Sequence, residues 1–129
     1  MNTKLLLGAS AIVLGAAGIA GTFAPHELAA ALGLTIAGPL PLLVQLMAAL
    51  LFGFAMVNWM ARGSLIGGIY NRPLLVGNVA HFVIGALAAG KTVLAGEHRP
   101  AVIAIAAVYA IFAAGFGMLL FRSPVSSPA

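Results

Sequence analysis

The sequence predicts an all-α integral membrane protein with four transmembrane helices in an antiparallel bundle and a short interfacial helix after the first. Three observations predict it. Apolar residues make up 63% of the chain and charged residues 6%, where a soluble domain carries about 25% charged residues. The mean hydropathy is +1.15. The few charges stand singly at the ends of long apolar runs, and proline and glycine clusters fall between those runs. A soluble all-α domain with an oversized core is the rival class, but so few charges cannot coat a surface in contact with water.

The first span covers about residues 5–24. From Leu5 to Pro25 nothing is charged, and Lys4 gives the run a positive flank. At about 1.5 Å per residue the run reaches roughly 30 Å, the thickness of the hydrocarbon layer. A cleaved signal peptide is the alternative, because Gly18-Ile19-Ala20 has a small-x-small pattern; the run is long for a signal core. Gly8, Ala11, Gly15 and Gly18 recur at steps of three and four. Such a stripe weakens a helix in water and lets a neighbour approach closely in lipid.

The segment Pro25-His26-Glu27-Leu28-Ala29-Ala30-Ala31-Leu32-Gly33 follows. Proline suits the first helical turn, an acid suits its positive end and glycine suits the stop, so a short helix is expected at the membrane surface. Gly38, Pro39 and Pro41 break the chain before the second span, about 41–61, which holds Asn58 and Trp59 and ends at Arg62. Leu51, Ala55, Asn58 and Arg62 share one side of it. The connection to the third span is glycine-rich and carries Arg62, Tyr70 and Arg72. With Trp59 these are expected to be interfacial anchors, as aromatic and basic residues are at membrane surfaces. The connection has neither the preceding strand nor the Gly-Lys-Ser/Thr ending of a phosphate-binding loop.

The third span, about 73–94, opens at Pro73. Leu74, Asn78, His81, Gly85, Ala88 and Thr92 lie along one stripe of it. The short polar turn Glu97-His98-Arg99 makes it an antiparallel neighbour of the fourth span, about 100–121, which offers Ala106, Ala110, Ala113, Ala114 and Gly117 for close packing. Residues 1–122 thus form a single membrane domain, and 123–129 are expected to be a disordered tail.

Orientation follows from the charges. The side with both termini carries Lys4, Arg62, Arg72 and Arg122; the other carries Lys91 and Arg99 with both acids, Glu27 and Glu97. The positive-inside rule therefore expects cytoplasmic termini. The formal charge of +4 does not point to nucleic acid, since the basic residues are scattered, without a patch or interleaved aromatics.

Polar groups within hydrocarbon are costly, and each needs a reason. His81 is the single histidine inside a span. At about 1.5 Å per residue, Asn58, Asn78, His81 and Ser10 all fall in the membrane half next to the 62–72 connection, with Tyr109 deeper. A hydrogen-bonded cluster of Asn58, Asn78 and His81 is expected, joined by Ser10 or Tyr109. It would act as a clamp between helices or as the polar end of a ligand site formed by Asn58, Asn78, His81 and Tyr109. A haem usually needs a second ligand; His26 and His98 lie outside the spans, so a second His81 from a homodimer would have to supply it. With no cysteine and no carboxylate in any span, neither a metal site nor a catalytic acid–base set can be assembled from the spans. The embedded glutamate on which small four-helix multidrug exporters depend is missing too. No enzyme activity and no cofactor are expected.

The chain resembles the DoxX-like small bacterial four-helix membrane proteins. The likeness lies in the glycine-bearing first span leading into Phe23-Ala24-Pro25-His26-Glu27-Leu28-Ala29-Ala30-Ala31-Leu32-Gly33, in Leu46-Met47-Ala48-Ala49-Leu50-Leu51-Phe52-Gly53-Phe54-Ala55 closing at Arg62, and in Gly77-Asn78. The resemblance implies a multi-pass protein of the bacterial inner membrane; some relatives are membrane subunits beside redox enzymes, including quinone-linked ones. Two functions are therefore expected to compete. One is a non-catalytic protein acting through helix contacts, as an accessory subunit of a larger membrane complex or as a homo-oligomer, with membrane lipid as its surroundings. The other is a binder or carrier of a small hydrophobe, quinone or lipid, with its polar head near His81 and Asn78.

Overall fold

The computed structural model describes residues 2–63 and 71–121. Tyr70 and the 123–129 tail lie outside the described residues. Five helices follow in order: α1 (Thr3–Phe23), α2 (Pro25–Ala31), α3 (Leu40–Ala61), α4 (Arg72–Leu94) and α5 (Pro100–Phe121). Four of them, all but α2, are long and apolar enough to cross a membrane. At 21 to 23 residues each, they reach about 32–35 Å along the helix axis. The chain is thus all-α with four candidate spans.

Local chemistry sets the helix ends. The Asn2 side chain accepts from the Lys4 N–H and caps α1. Prolines stand in the first turns of α2, α3 and α4, where a missing N–H costs nothing. Two helices stop in the same way. Gly33 has φ +76° and Gly96 φ +105°, a conformation that glycine adopts without steric cost. The Gly33 N–H donates to the Ala30 carbonyl and the Leu34 N–H to that of Ala29; Gly96 donates to Val93 and Glu97 to Thr92. Both are Schellman closures, which satisfy carbonyls a helix end would leave bare.

The helices associate as two close pairs, α1 with α3 and α4 with α5. Glycine makes both approaches possible. A Cβ on Gly18 would lie 2.8 Å from the Ala48 carbonyl oxygen and 2.9 Å from the Phe52 Cβ, and one on Gly21 would lie 2.8 Å from the Ala48 Cβ. Across the other pair, a Cβ on Gly85 would overlap the Tyr109 ring. The glycine stripe of α1 runs differently from the sequence expectation. Gly8 has open space around it, and the tight contacts are at Gly18 and Gly21, with Gly15 in ordinary contact with Ala55. The α1–α3 approach is closest toward the α2 end of the bundle.

The apolar core gathers Leu6, Leu7 and Leu14 of α1, Ala55 of α3, Leu75 and Phe82 of α4, and Phe112, Phe116 and Leu119 of α5. Phe82 is its centre. It stacks on Phe116 (centroids 5.6 Å apart, planes 6° apart) and meets Phe112 at 4.9 Å and Tyr109 edge-on at 5.2 Å. The outer surface is equally apolar. Leu50 is 75% exposed and Ile111 68% exposed in the middle of their helices, positions that suit acyl chains.

Gly18→Ala is expected to cost about 1–3 kcal/mol by overpacking against α3, while Gly8→Ala is expected to be neutral or slightly stabilising. Equilibrium unfolding in mixed detergent–SDS micelles, read by circular dichroism, measures both.

Candidate functional site

Three polar side chains inside the spans, Ser10, Asn58 and Asn78, meet where three helices converge. Asn58 lies one turn from the end of α3, and Asn78 lies almost two turns into α4. Because α3 and α4 run in opposite directions, those depths fall within a turn of each other. Asn58 Nδ2 donates to Asn78 Oδ1 at 2.8 Å, and Asn78 Nδ2 donates back to Asn58 Oδ1 at 2.8 Å. The two amides form a reciprocal ring. The second N–H of Asn58 donates to Ser10 Oγ on α1 at 3.0 Å, and the second N–H of Asn78 to the Leu74 carbonyl at 3.0 Å. Ser10 Oγ donates in turn to the Leu7 carbonyl at 2.9 Å. All three side chains are fully buried.

The donor count closes. Two amides and one hydroxyl offer two, two and one N–H or O–H donors, and each donor has a partner within the cluster or in a helix carbonyl. No donor remains to hold a ligand headgroup. Ser10 has no base beside it, so the cluster holds neither an activated nucleophile nor a general acid.

His81 stands apart from this network, which corrects the expected cluster. It is one turn beyond Asn78 on α4, with its ring between Phe54 of α3 and Tyr109 of α5. Its ring lies 5.4 Å from Phe54, 4.9 Å from Phe82 and 5.3 Å from Tyr109, centroid to centroid. Its Nε2 is buried without a hydrogen-bond partner. Tyr109 joins His81 through ring contact, at the place Gly85 opens for it. The reason is helix phase. The buried line of α4 is Leu75, Asn78 and Phe82, one position round from the expected stripe, whose Ala88 and Thr92 are exposed.

Sequence reasoning missed the aromatic cluster. Tyr109, Phe112 and Phe116 recur on α5 at steps of three and four, a pattern that marks one helix face. It also missed a second link between the pairs. Arg99 Nη1 donates to Glu97 Oε2 at 2.9 Å and to the Leu32 carbonyl at 3.4 Å, lying over Gly33. This joins the end of α2 to the α4–α5 turn, opposite the asparagine pair.

Of the expected anchors, Trp59 is exposed near the end of α3, and the Arg62 guanidinium lies 3.2 Å above its ring. Arg72 is exposed at the start of α4. Two surface clefts accompany these ends. One, of about 400 Å³, is lined by Lys4, Trp59, Met60, Arg62 and Gly63. The other, of about 550 Å³, includes Leu32, Thr92, Glu97, Arg99 and Val102. Neither is lined by Asn58, Asn78 or His81. Among the described residues no group of three or more histidines or acids could hold a metal ion.

Asn78→Leu is expected to destabilise the fold by about 1–3 kcal/mol, since it leaves Asn58 Oδ1 buried without its donor. The Asn58→Leu, Asn78→Leu double-mutant cycle is expected to give a coupling near 0.6 kcal/mol, at most about 1.7. His81→Phe is expected to be neutral or stabilising within about 1 kcal/mol, because Nε2 has no bond to lose. The same micelle unfolding titration distinguishes these outcomes.

Compared with family models, with curated proteins and with solved structures, the chain matches none.

Proposed function

We propose that the chain is a non-catalytic protein of the bacterial inner membrane that acts through helix–helix contacts, as a homo-oligomer or as an accessory subunit of a larger complex. The observation that carries this reading is the closed Ser10–Asn58–Asn78 network. With every donor of the network spent on holding α1, α3 and α4 together, what the protein offers to others is its outer faces. On α5 these include the exposed alanines Ala107, Ala110 and Ala114 beside Gly117, a small-residue surface of the kind that lets helices from another subunit approach. Ala106 and Ala113 are half-buried instead. The resemblance to DoxX-like proteins belongs to the same reading. So do cytoplasmic termini, supported by Lys4, Arg62 and Arg72 at one end of the bundle against Lys91 and Arg99 at the other.

One observation favours a second reading, a binder of a small hydrophobe. His81 Nε2 is buried with no partner beside Tyr109, and a quinone or lipid carbonyl would meet an imidazole N–H there.

Purification in mild detergent is expected to give a species larger than one chain by light scattering, with intermolecular crosslinks through cysteines placed at Ala110 or Ala114. A bare monomer without crosslinks in the native membrane would sink the first reading. Mass spectrometry of the same preparation tests the second: a stoichiometric co-purifying hydrophobe lost in His81→Phe would favour it.

A further inference from the structure

The charges of this chain are separated along the bundle axis. The chain has two acidic side chains, Glu27 and Glu97. Both lie at the end where α2 and the α4–α5 turn meet, and there Glu97 pairs with Arg99 at 2.9 Å. Lys4, Arg62 and Arg72 stand at the opposite end, a bundle length away. Neither Glu27 nor Glu97 can therefore neutralise them.

Two of these cations are brought to one cleft. Lys4 comes from the first turn of α1 and Arg62 from the residue after α3, and both line the cleft of about 400 Å³ with Trp59, Met60 and Gly63. Arg62 is held in a defined pose. Its guanidinium carbon sits 3.2 Å from the Trp59 ring centroid, and Nη1 reaches back to the Trp59 carbonyl at 3.5 Å. A guanidinium stacked on an indole keeps its donors in plane at the edge of the stack, and those not turned to the Trp59 carbonyl suit a planar or tetrahedral oxyanion. The first turn of α1 has no acidic residue to offset the positive end of the helix dipole, which lies on the same side. Two cations facing one cleft repel each other, and a counter-anion removes that repulsion.

We propose that this cleft seats the phosphate of an anionic phospholipid headgroup, with Arg62 gripping it through the guanidinium fork and Lys4 supplying the second charge. Its position selects a lipid. The cleft opens at the end of two membrane-length helices, where headgroup phosphates lie, and Met60, 80% exposed, continues it along the apolar side where acyl chains run. The proposal depends on membrane residence and not on the oligomer or hydrophobe reading.

Native mass spectrometry of the full chain, released from micelles with equimolar phosphatidylglycerol and phosphatidylcholine, tests it. Each surface cation contributes about fivefold to attraction for anionic lipid. The wild type is expected to retain phosphatidylglycerol over phosphatidylcholine by at least about fivefold. Arg62→Gln is expected to lose most of that preference, Lys4→Gln part of it, and Lys91→Gln at the other end none. Arg62→Lys, which keeps the charge without the fork, is expected to fall between. Should Arg62→Gln fail to fold by circular dichroism, exposed Lys4→Gln carries the test. Equal retention of both lipids by the wild type, or an equal loss in Lys91→Gln, would overturn the site. Displacement of the lipid by millimolar inorganic phosphate would overturn its assignment to a headgroup.

Discussion

Hydrocarbon offers no water to satisfy a polar side chain, and that constraint shapes this bundle more than any other. An asparagine buried in a soluble core can find an ordered water. Inside a span it needs protein partners or it costs several kcal/mol. Asn58 and Asn78 meet the requirement through each other, with Ser10 and the Leu74 carbonyl taking the remaining donors. The solution fixes geometry. A reciprocal amide ring demands coplanar approach at one depth and one rotation of each helix. It thereby sets α4 relative to α3 and, through Ser10, relative to α1.

Apolar contacts alone would specify this arrangement weakly. A leucine packed against a neighbouring helix gains little over one packed against an acyl chain, so association in lipid rests on fit and on polar bonds. Fit operates within the pairs. Gly18 and Gly21 admit α3, and Gly85 admits the Tyr109 ring. Polar bonds add to the fit within the α1–α3 pair, from Asn58 to Ser10 and from Gln45 to the Thr22 carbonyl, and they also reach beyond the pairs, with Asn58–Asn78 near one end and Arg99–Leu32 at the other. Two links at opposite ends resist both sliding and splaying. The ring cluster around Phe82 fills the space between them with side chains whose edges and faces attract beyond simple area burial.

The four long apolar helices, the short helix after the first and the stop at Gly33 are legible because they depend on composition and on proline and glycine, which act locally. Gly33 as a stop is an example: its role needs only its own backbone. The meeting of Asn58 with Asn78 was legible from depth, since antiparallel helices bring equal depths together. Helix phase was not legible. In a soluble protein polar residues mark the outer face, but here both faces are apolar and the contrast that reveals rotation is nearly absent. The stripe expected through Asn78, His81 and Gly85 is consequently one position off, and His81, expected in a hydrogen bond, packs its ring among Phe54, Phe82 and Tyr109. Gly8 departs from expectation for the same reason: a glycine permits close approach but does not say where the neighbour is.

The end of α3 concentrates two kinds of constraint within one turn. Asn58 faces inward and is fully buried, while Arg62, four residues on, lines the basic cleft with Lys4. Residues four apart lie on the same side of a helix, so the inward-facing amide and the cleft-facing guanidinium ride on one rigid turn. Lys4 stands on α1 two turns before Ser10, which accepts from Asn58. An anion held between Lys4 and Arg62 would therefore draw together the two helices that the Ser10–Asn58 bond already joins. The polar clamp in the membrane and the charges at its surface act on the same pair of helices in the same direction. A change that loosens one is expected to be felt at the other through the last turn of α3, with no separate moving part required.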